Sequence, residues 1–236
     1  MRFPLRLSVL MFLLGSYSYA GYTQSIEGTV TVDARQDLLS VLPEEVSYFL
    51  PRFEDAYVMF KDGTSSMGKV NICLVDNSVR HINSNGDTLL LANQDRVQRV
   101  LVADTVLLYA ENAFVKQLMV YGQLSISERR RLELDKRQEV SQGAYGSLPP
   151  TSTAVTGNLM LLDPTRKFDA RSDISYSFKV DYVLTDRERI YPAGRKSFTR
   201  LFPEHKKEIN AYIKNHRTNF KDPRSLVELF YYCTEL

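Results

Sequence analysis

Several features on which enzymes and metalloproteins rely are scarce in this 236-residue chain. It contains no tryptophan, two cysteines and three histidines. His205 and His216 lie eleven positions apart, which is about 16 Å along a continuous helix and too far for one shared metal ion. His81 has no second ligand at short spacing. The sequence therefore predicts no metal site and no cofactor.

The sequence patterns of well-known catalytic loops are missing too. Phosphate-binding loops, nucleophile elbows and dinucleotide-binding glycine patterns do not occur in the sequence. Residues 63–68 lack the Gly-Lys-Ser/Thr ending of a phosphate loop. No His or Cys lies close enough in sequence to make Ser65 or Ser66 a nucleophile. We therefore favour a non-enzymatic protein, although a carboxylate pair assembled from distant strands would leave no trace in the sequence.

Excess charge and long apolar runs are absent as well. The chain has 30 Lys and Arg against 28 Asp and Glu, and without Arg2 and Arg6 the balance is 28 against 28. A neutral chain has no general attraction to nucleic acid or to anionic lipid. Beyond the N-terminus no run reaches the roughly 20 apolar residues of a membrane helix, so we predict no transmembrane segment in the mature chain.

The N-terminus does contain the three-part pattern of a secretory signal peptide. Arg2 and Arg6 precede an apolar stretch over residues 7–14, and residues 18–20 have a small residue at the first and third positions. The pattern predicts a signal peptide over residues 1–20 that is cleaved after Ala20. The mature protein is then expected in the periplasm, at the outer membrane or outside the cell.

Residues 21–140 have the pattern of a β-rich body. Between Ala56 and Leu134 the apolar residues come in short, often alternating runs, separated by turn signals of which Asp62-Gly63 is the clearest. About seven strands with short links favour an antiparallel meander in the form of a roll, a sandwich or an open barrel. The charged stretch Glu128–Arg131 interrupts the last alternating run, and we interpret it as a bulge.

The composition changes after this body. Residues 141–160 are rich in Gly, Ser, Thr and Pro and are interpreted as a loop or linker, with Tyr145, Thr151 and Ser152 as candidates to face a ligand or partner. Residues 161–236 are predicted to form one strand followed by two helices, either as a separate region or as the completion of the same domain. The predicted fold class is therefore α+β.

The two C-terminal helices have clear start signals. Pro203 suits the first turn of a helix through residues 204–216, because the first helical position needs no N–H donor. Asp222-Pro223 combines an N-cap residue with proline at the first helical position. Each apolar stripe is short, so we expect the helices to pack on each other or to cover one face of the sheet.

Cys73 and Cys233 leave two alternatives open. In an exported chain they can form a disulfide, and closing so long a loop contributes roughly 4–5 kcal/mol by the chain-entropy estimate. Two buried free thiols agree equally well with the sequence. Because neither cysteine follows the apolar N-terminal run, no lipid-modified N-terminus is predicted.

Three segments carry motifs that occur together, and in the same order, in a known group of proteins. A Leu-Pro-x-Phe stretch leads into Phe-Lys-Asp-Gly and an Asn-containing strand, a Gly-x-Tyr-Gly loop follows, and the C-terminus is helical and Lys-rich. The residues concerned are Leu50, Pro51, Phe53, Phe60, Lys61, Asp62, Gly63, Asn71, Tyr145, Gly146, Thr151 and Ser152. In these segments the chain resembles a family of exported proteins of Bacteroidetes-type bacteria. The resemblance implies export and carries no activity.

Two tripeptides extend this resemblance. Asp87-Thr88-Leu89 and Asp104-Thr105-Val106 look like the Asp-Thr-apolar acceptor for O-glycosylation of exported proteins in that bacterial group. The resemblance makes Thr88 and Thr105 candidate glycosylation sites, which requires that their side chains be exposed. Both tripeptides also fit ordinary strand starts.

Three functional hypotheses follow, in decreasing order of support. The first is an exported interaction or scaffold protein with a protein partner in the cell envelope. The second is a small-molecule or glycan-binding protein that uses the sheet face or the Tyr145 loop. The third is a hydrolase with carboxylates assembled across the sheet. A large exposed apolar patch would favour the first hypothesis, and convergent carboxylates in a concave pocket would favour the third.

Overall fold

The computed structural model describes residues 25–137, 164–186 and 189–236. Within these residues the chain forms one antiparallel sheet and four short α-helices, which is the predicted α+β class. The strands are β1 (Ile26–Val32), β2 (Glu54–Phe60), β3 (Ser65–Cys73), β4 (Ser78–Ile82), β5 (Thr88–Leu90), β6 (Val97–Val102), β7 (Thr105–Ala110), β8 (Ala113–Tyr121), β9 (Leu124–Arg137), β10 (Ser172–Asp186) and β11 (Arg189–Pro192). The helices are α1 (Glu44–Ser47), α2 (Arg195–Leu201), α3 (Lys206–Asn215) and α4 (Pro223–Thr234).

The sheet is built from two meanders placed side by side. Its strand order is β1-β10-β9-β8-β7-β6-β2-β3-β4-β5, and β11 pairs with the end of β10. Pairing between β2 and β6 joins the two meanders. In the described part of the chain β1 and β5 end this order without pairing with each other. The meander is therefore an open sheet that is not closed into a barrel, and β10 from the C-terminal region lies inside it.

The turn signals of the sequence mark the hairpins. Between β2 and β3, Asp62 accepts hydrogen bonds from the backbone N and the Oγ1 of Thr64 at 3.0 and 2.6 Å. Gly63 has φ = +85°, a conformation that costs glycine little because it has no Cβ. Ser65 and Ser66 are exposed at the start of β3. The segment is a hairpin turn, as predicted.

The interpretation of Glu128–Arg131 as a bulge is wrong. β9 keeps one continuous register with β10 along its whole length, and the register shift lies in β8 instead, between Gln117 and Met119. The charged residues fit a regular strand because they have partners nearby. Arg129, for example, lies directly opposite Asp181 and forms an ion pair with it.

One face of the sheet carries the main core. Buried apolar side chains from nine strands belong to a single cluster, and they include Ala56, Val58, Val70, Ile72, Val100, Leu107, Leu132, Ile174 and Phe178. Strands from both meanders contribute, so the sheet curves around one interior. The segment between β1 and β2 adds Leu38, Leu42, Val46 and Phe49 to the same cluster.

The C-terminal helices cover a second part of the same sheet face. Side chains of α2, α3 and α4 pack around Ile126 of β9 and Leu184 of β10, and the helical members are Phe198, Ile209, Ile213, Leu226, Leu229, Phe230 and Cys233. Asp222 caps α4 by accepting hydrogen bonds from the backbone N of Arg224 and Ser225, as the sequence predicted. Among the described residues, no helix has both the length and the apolar character to cross a membrane.

Four of the helices and strands were not predicted from the sequence: β1, β11, α1 and α2. In α2 only Phe198 is buried, and the other positions are mostly basic or polar, so no apolar stripe is visible. Pro203 begins a 3-10 turn rather than an α-helix, and α3 follows directly after it. The C-terminal region thus has three α-helices, of which α3 and α4 are the predicted pair.

Asn71 fastens the segment that precedes β2 to the edge of β3. Its Oδ1 accepts hydrogen bonds from the backbone N of Leu50 at 2.9 Å and of Ile72 at 2.8 Å, and its Nδ2 donates to the Leu50 carbonyl at 2.9 Å. The side chain is 1 % exposed. Asn71 therefore satisfies both backbone groups of Leu50, just before Pro51 and outside the strand pairing of the sheet. This contact gives a structural reason for two positions of the motif, Leu50 and Asn71.

We expect Asn71→Ala to lower the free energy of unfolding by about 2–3 kcal/mol, because it leaves buried backbone groups of Leu50 without a partner. Denaturant titration followed by circular dichroism measures the change. The matched control is Asn215→Ala at the exposed end of α3, which should change stability by no more than about 0.5 kcal/mol. Equal effects of the two substitutions would contradict the structural role of Asn71.

Candidate functional site

The sheet face opposite the core carries an exposed row of apolar side chains. Residues directly opposite each other on paired strands share a face. Met67 of β3 lies opposite Tyr57 of β2, Tyr57 lies opposite Leu101 of β6, and Leu101 lies opposite Val106 of β7. Tyr57 is 51 % exposed and Met67 is 65 % exposed. We call these four residues the apolar row.

A second row runs beside the first on the same face. Met59 of β2 lies opposite Arg99 of β6, Arg99 opposite Leu108 of β7, and Leu108 opposite Val115 of β8. Val115 is fully buried, and the other three side chains are half-buried. We call these four residues the arginine row. Arg99 is its one charged member and is flanked by apolar side chains on both neighbouring strands.

The guanidinium of Arg99 lacks an electrostatic partner. Within residues 25–137, 164–186 and 189–236 it forms no ion pair, and its Nε is buried without a hydrogen-bond partner. A buried donor that is left unsatisfied costs about 1–3 kcal/mol. The arginine row thus contains a cation whose hydrogen-bonding capacity the described chain does not use.

The arginine row continues onto β9, where the next arginine is fully paired. Arg129 lies opposite Val115 on one side and Asp181 of β10 on the other. Its Nε and Nη2 are 3.1 and 2.6 Å from the two carboxylate oxygens of Asp181, which is a bidentate pair. The sheet therefore supplies Arg129 with the carboxylate that it does not supply to Arg99.

Further charges on β9 and β10 neutralise one another. Arg131 bridges two acids, with Nη1 at 3.1 Å from Glu133 and Nη2 at 3.4 Å from Asp181. Lys179 pairs with Glu133 at 2.5 Å. The Nε of Arg131 has no partner, but both of its Nη atoms are engaged. These side chains are roughly one-quarter to two-fifths exposed, so each pair contributes little net stability.

A small hydroxyl cluster lies beside this ladder of charges. Ser125 and Ser127 of β9 are 3.0 Å apart at their Oγ atoms, and Ser125 also hydrogen-bonds to Thr185 of β10. Gln117 donates to Ser125 at 3.4 Å. All three hydroxyl residues are buried and linked by hydrogen bonds. The cluster therefore has a structural role, and none of its hydroxyl groups is accessible as a nucleophile.

The buried ion pair of the β3–β4 turn is also satisfied internally. The Arg80 side chain is 7 % exposed, and its Nη2 lies 2.5 Å from Oδ2 of Asp76. Its Nε donates to Ser78 at 3.0 Å, and Asp76 accepts from the backbone N of Ser78 at 3.1 Å. These bonds close the turn, and none of these three side chains is left free for a ligand.

The structure describes only some of the residues predicted as ligand-binding or modification sites. Tyr145, Thr151 and Ser152 lie outside the described residues. Thr88 is exposed in β5, and Thr105 is half-buried at the start of β7. Glycosylation of these two threonines stays a prediction.

The two cysteines lie in different cores. Cys73 belongs to the main interior cluster, and Cys233 belongs to the cluster under the helices. Both thiols are buried and free, so the structure has no Cys73–Cys233 disulfide. Burial is the main cause that raises the pKa of each thiol to about 12. Such thiols are poor nucleophiles at neutral pH because almost none is ionised.

The three histidines are distributed over separate elements. His81 lies in β4, His205 in the 3-10 turn before α3, and His216 at the C-terminal end of α3. In the part of the chain that the structure describes, no three His, Cys, Asp or Glu side chains come together as a metal site.

Sequence reasoning missed both rows on the outer face, although a signal for them exists. In β2 the core-facing residues Ala56 and Val58 alternate with Tyr57 and Met59, which are also apolar. A strand with one solvated face normally alternates apolar with polar residues. Apolar residues at both odd and even positions of β2 therefore indicate a strand that is covered on both faces.

Comparison of the chain with protein-family models, with curated proteins and with solved structures gives no match. The functional argument therefore depends on the geometry of the outer face.

The raised thiol pKa values predict an alkaline loss of stability. A thiol with pKa near 9 in the unfolded chain and about 12 in the folded chain ionises only on unfolding between these values. The contribution of the protonated thiol to the free energy of unfolding is complete below about pH 9. It is lost as the pH rises toward 12, by at most about 1.4 kcal/mol per pH unit. We expect Cys73→Ala to reduce this slope in denaturant titrations between pH 9 and pH 11. If the loss of stability per pH unit were the same in Cys73→Ala, the raised pKa of the Cys73 thiol would not be its cause.

Proposed function

We propose that the chain is a non-enzymatic interaction protein of the cell envelope, which binds a partner protein through the outer face of β2, β3, β6 and β7. The observation that carries this proposal is the pair Tyr57 and Met67. They are half and two-thirds exposed, and they lie directly opposite each other at the start of the apolar row. Contiguous exposed apolar side chains on a folded protein mark interaction surfaces.

The other half of the same face provides an internal comparison. On β1 and β10 this face carries Thr29, Thr31, Ser175 and Asp173, and Thr31 donates to Asp173 at 2.6 Å. That half has the hydroxyl and charged side chains of a solvated sheet face. The apolar half on β2, β3, β6 and β7 departs from this rule within one continuous sheet, so solvation alone does not account for its composition.

The energies involved suit a protein partner. Full burial of one large apolar side chain contributes about 1.5–3 kcal/mol. Tyr57 and Met67 therefore offer a partner a few kcal/mol between them, and the half-buried Leu101 and Val106 add to this. An aromatic side chain with apolar neighbours is the usual centre of a binding surface, with polar residues around it.

The envelope location is supported by the N-terminal sequence. Residues 1–20 have the charged, apolar and small-residue parts of a signal peptide in the right order. The resemblance to exported proteins of Bacteroidetes-type bacteria supports the same location. An exported interaction protein with an exposed apolar face has to meet its partner after secretion, within the envelope or outside it.

Site-specific photocrosslinking tests the surface. A photoreactive amino acid at position 57 should form a defined adduct with one envelope protein in cells, and Met67→Asp should remove that adduct. The matched control is position 121, where Tyr121 is equally exposed, at 54 %, but lies outside the apolar row. Absence of an adduct from position 57, or an adduct that Met67→Asp leaves unchanged, would refute the proposed surface.

N-terminal sequencing of the protein isolated from cells tests export. We expect the mature chain to begin at Gly21, since cleavage follows Ala20. Ala20→Lys should leave an unprocessed chain, because the cleavage site requires a small residue there, whereas Thr23→Val should be processed normally. A chain that retains Met1 in the cytoplasm would refute export.

A further inference from the structure

We infer that the partner presents a carboxylate within an apolar segment, and that this carboxylate binds Arg99. The inference rests on the proposed function, because Arg99 and the apolar row form one surface. It adds the chemistry of the partner: an extended or helical protein segment with an Asp or Glu side chain flanked by apolar residues.

The surroundings of Arg99 carry the first part of the argument. Its direct neighbours across β2 and β7 are Met59 and Leu108, and its next neighbour on the same strand face is Leu101. All three are apolar and half-buried. An arginine stem packs well against such neighbours, while its guanidinium keeps five donors. One of these donors, Nε, is already buried without an acceptor.

The comparison with Arg129 carries the second part. Both arginines lie in the same row of the same sheet face. Arg129 has Asp181 directly opposite, and the two form a bidentate pair. At Arg99 both positions directly opposite are apolar. The acceptor that matches this guanidinium therefore has to come from outside the described sheet, and a carboxylate fits its fork geometry.

The neighbouring charges favour a protein carboxylate over other anions. A polyanion such as nucleic acid needs several cations along its path. Arg99 instead lies among methionine, leucine and tyrosine. The nearby cations Arg129, Arg131 and Lys179 are engaged with Asp181 and Glu133. An apolar segment with a single acidic side chain matches the two rows and Arg99, which is the one cation within them.

A second copy of the chain is a poorer match. In a symmetric dimer the same face would have to supply the carboxylate. The nearest acid on this face is Asp55, two residues before Tyr57, and it lies directly opposite Lys69 of β3. Among the other acids of the face, Asp181 and Glu133 are paired with cations of the ladder, and Asp173 accepts a hydrogen bond from Thr31.

Selection from a random peptide library displayed on phage tests the inference. The purified exported protein should enrich peptides with Asp or Glu flanked by apolar residues. Arg99→Gln should weaken binding of a synthetic copy of the best peptide by about 10- to 100-fold, the loss expected for hydrogen bonds to a charged group. Arg99→Lys should recover part of the affinity, because it keeps the charge but not the fork.

Two variants provide the controls. Arg195→Glu changes the net charge at an exposed position on α2 and should leave peptide binding unchanged. Arg99→Glu should reverse the selection, enriching peptides with Lys or Arg between apolar residues. Thermal unfolding of each variant confirms that it is folded before binding is compared.

The outcomes separate the two proposals. Enriched peptides that require Tyr57 but show no acidic preference would overturn the carboxylate inference and leave the interaction surface intact. Peptides whose binding survives Tyr57→Asp would overturn the interaction surface itself. A dimer in analytical ultracentrifugation that Tyr57→Asp dissociates would make a second copy the occupant, and it would overturn the acidic-partner inference.

Discussion

The register between β9 and β10 is the constraint on which the rest of the fold depends. It pairs fourteen residues of each strand without interruption and is the longest pairing in the sheet. It turns Leu132 and Phe178 toward the interior, and it turns Arg129 and Asp181 to the opposite face. A slip by one residue would exchange the two faces completely. Apolar burial on one face and charge pairing on the other therefore specify the same register.

Several buried polar groups among the described residues are satisfied within the chain, and the Nε of Arg99 is one of the few that are not. Asn71 satisfies the backbone of Leu50, and Arg80 is held by Asp76 in the turn between β3 and β4. On the outer face Arg129 has Asp181. Arg99 lies between apolar neighbours with its Nε buried and unbonded. Arg99 lies beside the apolar row with the exposed side chains of Tyr57 and Met67, and this proximity gives the outer face its functional interpretation.

Local chemistry in the sequence was sufficient for a large part of the fold. Asp62-Gly63 marks a hairpin and Asp222-Pro223 marks a helix start, because turn and cap geometry depend on residues within three or four positions. Alternation of apolar residues predicted β10 for the same reason. The expected bulge at Glu128–Arg131 was wrong because Arg129 and Arg131 find their partner Asp181 on β10, some fifty residues away in sequence. α2 was missed because Phe198 is its one buried side chain, so the sequence shows no apolar stripe.

The candidate surface could not be predicted from local sequence patterns. Tyr57 and Met59 are visibly apolar in the sequence, but their exposure depends on whether another element covers β2. The same holds for Cys73 and Cys233, whose separation into two cores depends on where the C-terminal helices pack. Strand periods and turns are short-range properties of the chain, and they can be predicted from the amino acids alone. Which strands become neighbours, which face stays uncovered and which arginine lacks an acid depend on contacts between distant residues, because only the folded chain brings them together.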